Sequence, residues 1–196
     1  MKSRMAVVVC IFASMALLTQ SGQAAPHSTL PGDSVYQLPV KLADSGGREI
    51  TWSDLRGKPR VVTMFYTSCR YVCPLVVDSL RAVERGLTAK QRAQVGFVLI
   101  SMDPVRDTPE VLAGVMRERH LDPAGWLLLE PRPEDVRGIA GVLGIRYRAL
   151  SDGEFNHTTS LILLDSSGRV TARTDRVGAE GGAEFLVAVQ AAADAR

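Results

Sequence analysis

An α/β domain built on a mixed central sheet is predicted from three observations. Residues 61–66 and 95–102 are continuous apolar runs of strand length, the kind buried on both faces of a sheet. Amphipathic helical segments with recognisable caps alternate with these runs. Residues 160–164 and 169–174 flank Asp165-Ser166-Ser167-Gly168, a turn signal that makes them a late antiparallel hairpin. A composition of 46% apolar and 22% charged residues suits an ordinary globular chain of this kind.

In chain order, residues 36–42 and 49–51 are strand candidates facing one another across Ser45-Gly46-Gly47, an N-terminal β-hairpin extension. The run at 61–66 feeds a helical pattern behind Pro74. After the second buried run, Thr108 is a good N-cap with Pro109 at the first helical position, and Val111, Leu112, Val115 and Met116 make one face. Pro133 opens another helix, with Val136, Ile139, Ala140 and Leu143 inward and Gly144 ending it. Residues 184–193 carry Phe185, Ala188, Val189 and Ala192 on a last helix, and the alanine-rich tail after Ala191 is expected to fray. A strand feeding a thiol-bearing helix, with an antiparallel hairpin late in the chain, is the outline of a thioredoxin-like fold.

The first 24 residues stand apart from that domain. Lys2 and Arg4 precede an apolar run at 6–18, and Gly22-Gln23-Ala24 presents small residues for cleavage, the anatomy of a secretory signal. Cleavage is expected after Ala24, because a cut after Ala25 would leave Pro26 first. The apolar run falls short of the roughly 20 residues that span a bilayer, so an uncleaved membrane anchor is the alternative. The expected organisation is a signal at 1–24, a flexible leader at 25–33, and one domain at 34–196. Losing Lys2 and Arg4 leaves 21 basic against 21 acidic residues, a neutral balance that argues against nucleic acid as a partner.

Cys10 leaves with the signal, so the exported chain holds Cys69 and Cys73 within TMFYTSCRYVCP. A bridge over three intervening residues would constrain the unfolded chain very little, which disfavours a structural staple. Proline is tolerated in the first helical turn, so the spacing predicts Cys73 at the N-cap and Pro74 at the first helical position. A helix N-terminus, with Arg70 beside it, lowers the pKa of nearby thiols. The gap is one residue wider than C-x-x-C: a disulfide is still within reach, but two sulfurs can also converge on an ion. Thiolates are soft donors that favour Cu(I) or Zn, and two of them leave a third ligand to come from elsewhere. Of three histidines, His27 lies in the leader and His120 near a helix end. His157 sits directly before a buried strand, where a loop displays it at the sheet edge. Asp103 and Asp107 read as loop and cap chemistry leading into a helix, or as a carboxylate for a copper site or a partner that orients His157.

Three stretches in order, FYTSCRYVCP at 65–74, SMDPVRDTPEVL at 101–112, and His157 before LILLDSSGRV at 161–170, resemble the Sco/SenC family of copper-binding thioredoxin-fold proteins. The resemblance covers residues 36–192. It implies that Cys69, Cys73 and His157 hold one copper ion, Cu(I) or Cu(II). It further implies delivery to the binuclear copper centre of cytochrome c oxidase, or to another exported copper protein, by a periplasmic chaperone. Family members often carry His or Phe before the first cysteine and Pro-Asp after it, where this chain has Ser68, Arg70 and Tyr71. Two enzymatic readings compete. In a thiol–disulfide oxidoreductase Cys69 would attack and Cys73 resolve, with a thioredoxin-like reductant as partner. Residues 157–160 lack the proline that such enzymes place before the third central strand. In a thiol peroxidase Thr67, two residues before Cys69, would assist the thiolate.

Overall fold

The computed structural model describes residues 29–69, 72–178 and 183–195, with backbone alone at 72 and 73; the expected export signal lies outside these residues. At the end of the expected leader, Asp33 pairs with Arg169 at 3.0 Å and Leu30 packs against the core. The N-terminal hairpin forms as β1 (Lys41–Asp44) and β2 (Glu49–Thr51), turning through Gly47 at φ 79°. It starts later than the pattern predicted, because Val35–Gln37 winds into a 3₁₀ turn held by the Ser34 hydroxyl, which accepts from Tyr36 N.

β3 (Arg60–Phe65) is buried throughout and feeds α1 (Val72–Arg85). The helix begins two residues before Pro74 rather than at it. Pro74 still lies in the first turn, where an N–H would have no helical acceptor, so the ring is accommodated. Val76, Val77, Leu80 and Val83 face inward at helical spacing. A short α2 (Ala89–Gln94), closed by a Thr88–Gln91 capping box, leads into β4 (Gly96–Ser101), and α3 (Pro109–Glu118) follows with Thr108 at its N-cap as expected. His120, just past that helix, takes a left-handed φ of 50°.

β5 (Trp126–Pro131) is a strand the sequence pattern missed. It pairs parallel with β4 and antiparallel with β1, so the N-terminal hairpin is the rim of the central sheet rather than an appendage. Next come α4 (Val136–Val142) and the short β6 (Tyr147–Ala149) and β7 (Phe155–His157), which pair as a separate two-stranded ladder. β8 (Leu161–Leu164) and β9 (Val170–Thr174) form the predicted late hairpin. α5 (Ala183–Asp194) runs through the tail expected to fray, because Ala193 is buried against the core. Among the described residues the main sheet has seven strands in the order β2-β1-β5-β4-β3-β8-β9, with β3, β4 and β5 parallel. This is the mixed α/β, thioredoxin-like architecture the sequence predicted. It puts the C-terminal ends of the interior strands β3 and β4, and therefore Cys69 and residues 102–108, at one end of the sheet.

Gly168 in the β8–β9 turn has φ 87°, and a Cβ there would collide with the Tyr36 ring. Gly168→Ala is expected to destabilise the domain by more than about 1 kcal/mol, since it combines left-handed strain with overpacking. Urea denaturation measures this, and an unchanged midpoint would contradict it.

Candidate metal centre

Beyond β3 the chain turns through Tyr66, Thr67 and Ser68 to the half-buried Cys69, whose N–H donates to Tyr66 O at 3.4 Å. The turn is gripped from the loop after β4. Asp107, fully buried, accepts from Thr67 N with both carboxylate oxygens at 3.2 Å, from the Thr67 hydroxyl, and from the Ser101 hydroxyl at 2.6 Å. The cap reading of Asp107 is therefore replaced. Thr108 is the N-cap, and Asp107 fixes the backbone two residues before Cys69. With its oxygens occupied by these donors, Asp107 is a brace rather than a metal-binding carboxylate. The same contact commits the Thr67 hydroxyl proton, which a peroxidase would need beside its sulfur.

His157 is the last residue of β7, not a loop residue. Its hairpin reaches the Cys69 turn through Tyr66. The buried Tyr66 ring meets Phe155 edge-on at 5.0 Å and His157 at 5.8 Å. Its hydroxyl donates to Glu154 Oε2 at 2.7 Å and accepts from Phe155 N at 3.4 Å, with the Cys69 side chain within hydrogen-bonding reach. The loop after β4 holds the hairpin as well. Arg106, paired with Asp103, donates to Gly153 O in the β6–β7 turn. Asp103 keeps its reading as loop chemistry and also anchors this arginine. One short loop thus holds both the Cys69 turn, through Asp107, and the His157 hairpin, through Arg106.

Electrostatics favour a neutral imidazole. Burial lowers the His157 pKa, and its Nδ1 lies 3.2 Å from Thr158 O. A carbonyl can only accept, so Nδ1 carries the proton and Nε2 keeps its lone pair, with a backbone partner fixing the tautomer. Burial first, then the Glu154 and Cys69 contacts, raises the Tyr66 phenol above the ordinary tyrosine range, so it stays a neutral donor. Burial also raises the Asp107 carboxyl, against the lowering effect of its hydrogen bonds. Ser68 Oγ, adjacent to Cys69, is buried with no partner among the described residues, a hydroxyl suited to a thiolate.

Cys69 also lines a cavity of about 160 Å³ with Thr67, Pro74, Val77, Glu118 and Arg119, so the thiol is approachable from the α3 side. The fold brings Cys69 and His157 to a shared neighbour, Tyr66, and the backbone at Cys73 follows in the first turn of α1. The Cys73 side chain lies outside the described residues, and no group of three or more His, Cys, Asp or Glu side chains suited to a metal occurs among the described ones. His120 sits at the end of α3, consistent with a structural place. Sequence reasoning missed Tyr66, Arg106 and Glu154. Tyr66 alone left a signal, an aromatic hydroxyl between a buried strand and the first cysteine.

Similarity to known proteins follows the same regions. The sequence profile described as SCO1/SenC matches residues 29–187. A Stutzerimonas stutzeri protein whose name provisionally describes it as copper-binding is 26% identical over 133 residues, 66% of this chain; the chain spans 64% of that relative's length. The copper-bound structure of Bradyrhizobium japonicum ScoI has a TM-score of 0.66 at 25% identity, over 79% of this chain and 97% of that one. BsSco, described as a member of the Sco family of cytochrome c oxidase assembly proteins with a disulfide switch, shares the fold. Its TM-score is 0.68 at 18% identity, over 81% of this chain and 93% of its own. With the profile spanning nearly all of the described fold, from ahead of β1 into α5, this chain belongs to the SCO1/SenC family.

Proposed function

We propose that the protein is an exported copper chaperone that binds one copper ion through Cys69 Sγ, Cys73 Sγ and His157 Nε2 and passes it to a partner. The acceptor we infer is the copper-centre subunit of cytochrome c oxidase or another exported copper protein. The observation that carries this reading is the convergence on Tyr66. A thiol and a neutral imidazole, distant in sequence, meet the same side chain at one end of the sheet. Two thiolates and an imidazole form a soft set suited to Cu(I) in trigonal geometry. Cys69 is half-buried, so a partner's donors can reach the ion and displace ligands one at a time. The signal at 1–24 supports export, either released or held by an uncleaved segment. Among the described residues no helix is long and apolar enough to cross a membrane.

Both sulfurs must be thiolates to share the ion, so the dithiol is the form that loads. Oxidation to a Cys69–Cys73 disulfide would remove two electrons and two protons and close the site, which leaves room for a thioredoxin-like reductant as a second partner. Anaerobic titration of the reduced protein with Cu(I), against a competing chelator, tests the reading. One equivalent is expected, and His157→Ala is expected to weaken binding at least tenfold with the fold intact. Unchanged affinity in that variant would remove His157 from the ligand set.

A further inference from the structure

The β6–β7 hairpin has an open edge. In the ladder Thr158 N donates to Arg146 O and Leu150 N to Glu154 O, both at 2.8 Å, and Arg148 faces Asn156. Antiparallel pairing alternates, so the N–H and C=O groups of Tyr147 and Ala149 point away from β7. On β7, the corresponding outward N–H of Phe155 is covered by the Tyr66 hydroxyl. On β6, the outward groups of Tyr147 and Ala149 have no hydrogen bond outside the ladder among the described residues.

That edge lies along a groove of about 550 Å³. Tyr147, Arg148 and Ala149 line it consecutively, as a strand does when it is approached edge-on, opposite Met102, Pro104, Val105, Pro133 and Val136. Val105 is 78% exposed, high for a valine beside an apolar groove. Arg137 and Arg148 line the same groove and form no ion pair among the described residues, whereas Asp103 is neutralised by Arg106. The surface therefore combines unused strand hydrogen bonds, an apolar trough and uncompensated positive charge.

We propose that this edge binds an extended segment of a partner protein by strand addition. The segment would carry aliphatic side chains for the trough and carboxylates for Arg137 and Arg148. Main-chain hydrogen bonds to Tyr147 and Ala149 supply the affinity, and the alternating side chains supply the selectivity. Tyr147 pairs across the ladder with His157, so a segment added to β6 lies about 10 Å from the His157 backbone, two strand spacings away. The docked protein is thereby held beside the candidate ligand without covering it. The proposal rests on the copper-delivery reading only for the biological identity of that protein.

The test uses reduced, metal-free protein, so failure here is distinct from failure to bind copper. The probe is an end-blocked heptapeptide of alternating valine and glutamate, with the valine–lysine peptide as control. Saturating glutamate peptide is expected to slow amide exchange at Tyr147 and Ala149 roughly tenfold. Arg148→Glu, an exposed change that leaves the ladder intact, is expected to weaken binding about tenfold, as is Ala149→Pro, which deletes one outward donor. Absence of protection at both amides, or equal binding of the lysine peptide, overturns the proposal. Concentration-dependent protection without peptide, with dimerisation in sedimentation that Ala149→Pro abolishes, would instead assign the edge to a second copy of this chain and overturn it equally.

Discussion

Replacing Cys69 and Cys73 together by serine is expected to abolish Cu(I) binding in the chelator competition while leaving thermal unfolding close to that of the parent. Both sulfurs are proposed ligands, and Cu(I) prefers soft thiolates strongly over hydroxyl oxygen. The loss should exceed the roughly 10–100-fold that follows removal of an outer partner of a metal ligand. The fold should survive, because Cys69 is only half-buried where it packs against the core beyond β3, and serine is close to it in size. Stoichiometric Cu(I) retained by the double variant would place the copper elsewhere and end the chaperone reading of this site.

Asp107→Ala is expected to be the most destabilising single change at the site. The carboxylate answers Thr67 N, the Thr67 hydroxyl and the Ser101 hydroxyl in a fully buried position. Leaving such donors without an acceptor, at roughly 1–3 kcal/mol for each buried orphan group, costs about 3 kcal/mol or more. Asp107→Asn keeps one acceptor oxygen and should lose less. The Cys69 turn loses its brace in the alanine variant, so Cu(I) affinity should fall as well, by about 10–100-fold. Denaturation combined with chelator competition measures both effects, and a variant with wild-type stability and affinity would refute the brace.

The same carboxyl gives a pH signature. Burial raises its pKa in the folded state, so folding favours the protonated form. That part of the stability is complete below the unfolded-chain value and is lost as the pH rises through the higher folded value. A urea series over that window should show the loss in the parent and not in Asp107→Asn.

The buried strands were legible because β3, β4 and β8 are continuous apolar runs, and α3 because Thr108-Pro109 announces its start. β5 was hidden by its own end. Proline is rarely placed inside a sheet, yet Pro131 closes β5 opposite Leu42 of β1. β6 and β7, three residues each, are too short for periodicity to register, so His157 read as a loop residue. Cys69 and His157 were singled out by chemistry, since donor types can be recognised without geometry. The supporting side chains could not be found that way. Asp107 bonds to a residue 40 positions away and Tyr66 to one 88 positions away, and tertiary contact alone relates them. Asp107 also lies in a segment that local rules explain as a turn into a helix, and the other roles its chemistry suggested, a copper carboxylate or a partner for His157, did not include a brace on Thr67.

The β6–β7 ladder shares no strand pairing with the main sheet and is tied to it by side chains, chiefly Tyr66 to Glu154 and Arg106 to Gly153. It forms a small cooperative unit whose melting need not wait for the rest of the domain. On gentle warming the His157 imidazole would drift from Tyr66 and the Cys69 turn while the open seven-stranded sheet beneath stayed intact. On the proposed reading, copper would then be shed by a molecule still counted as native by circular dichroism.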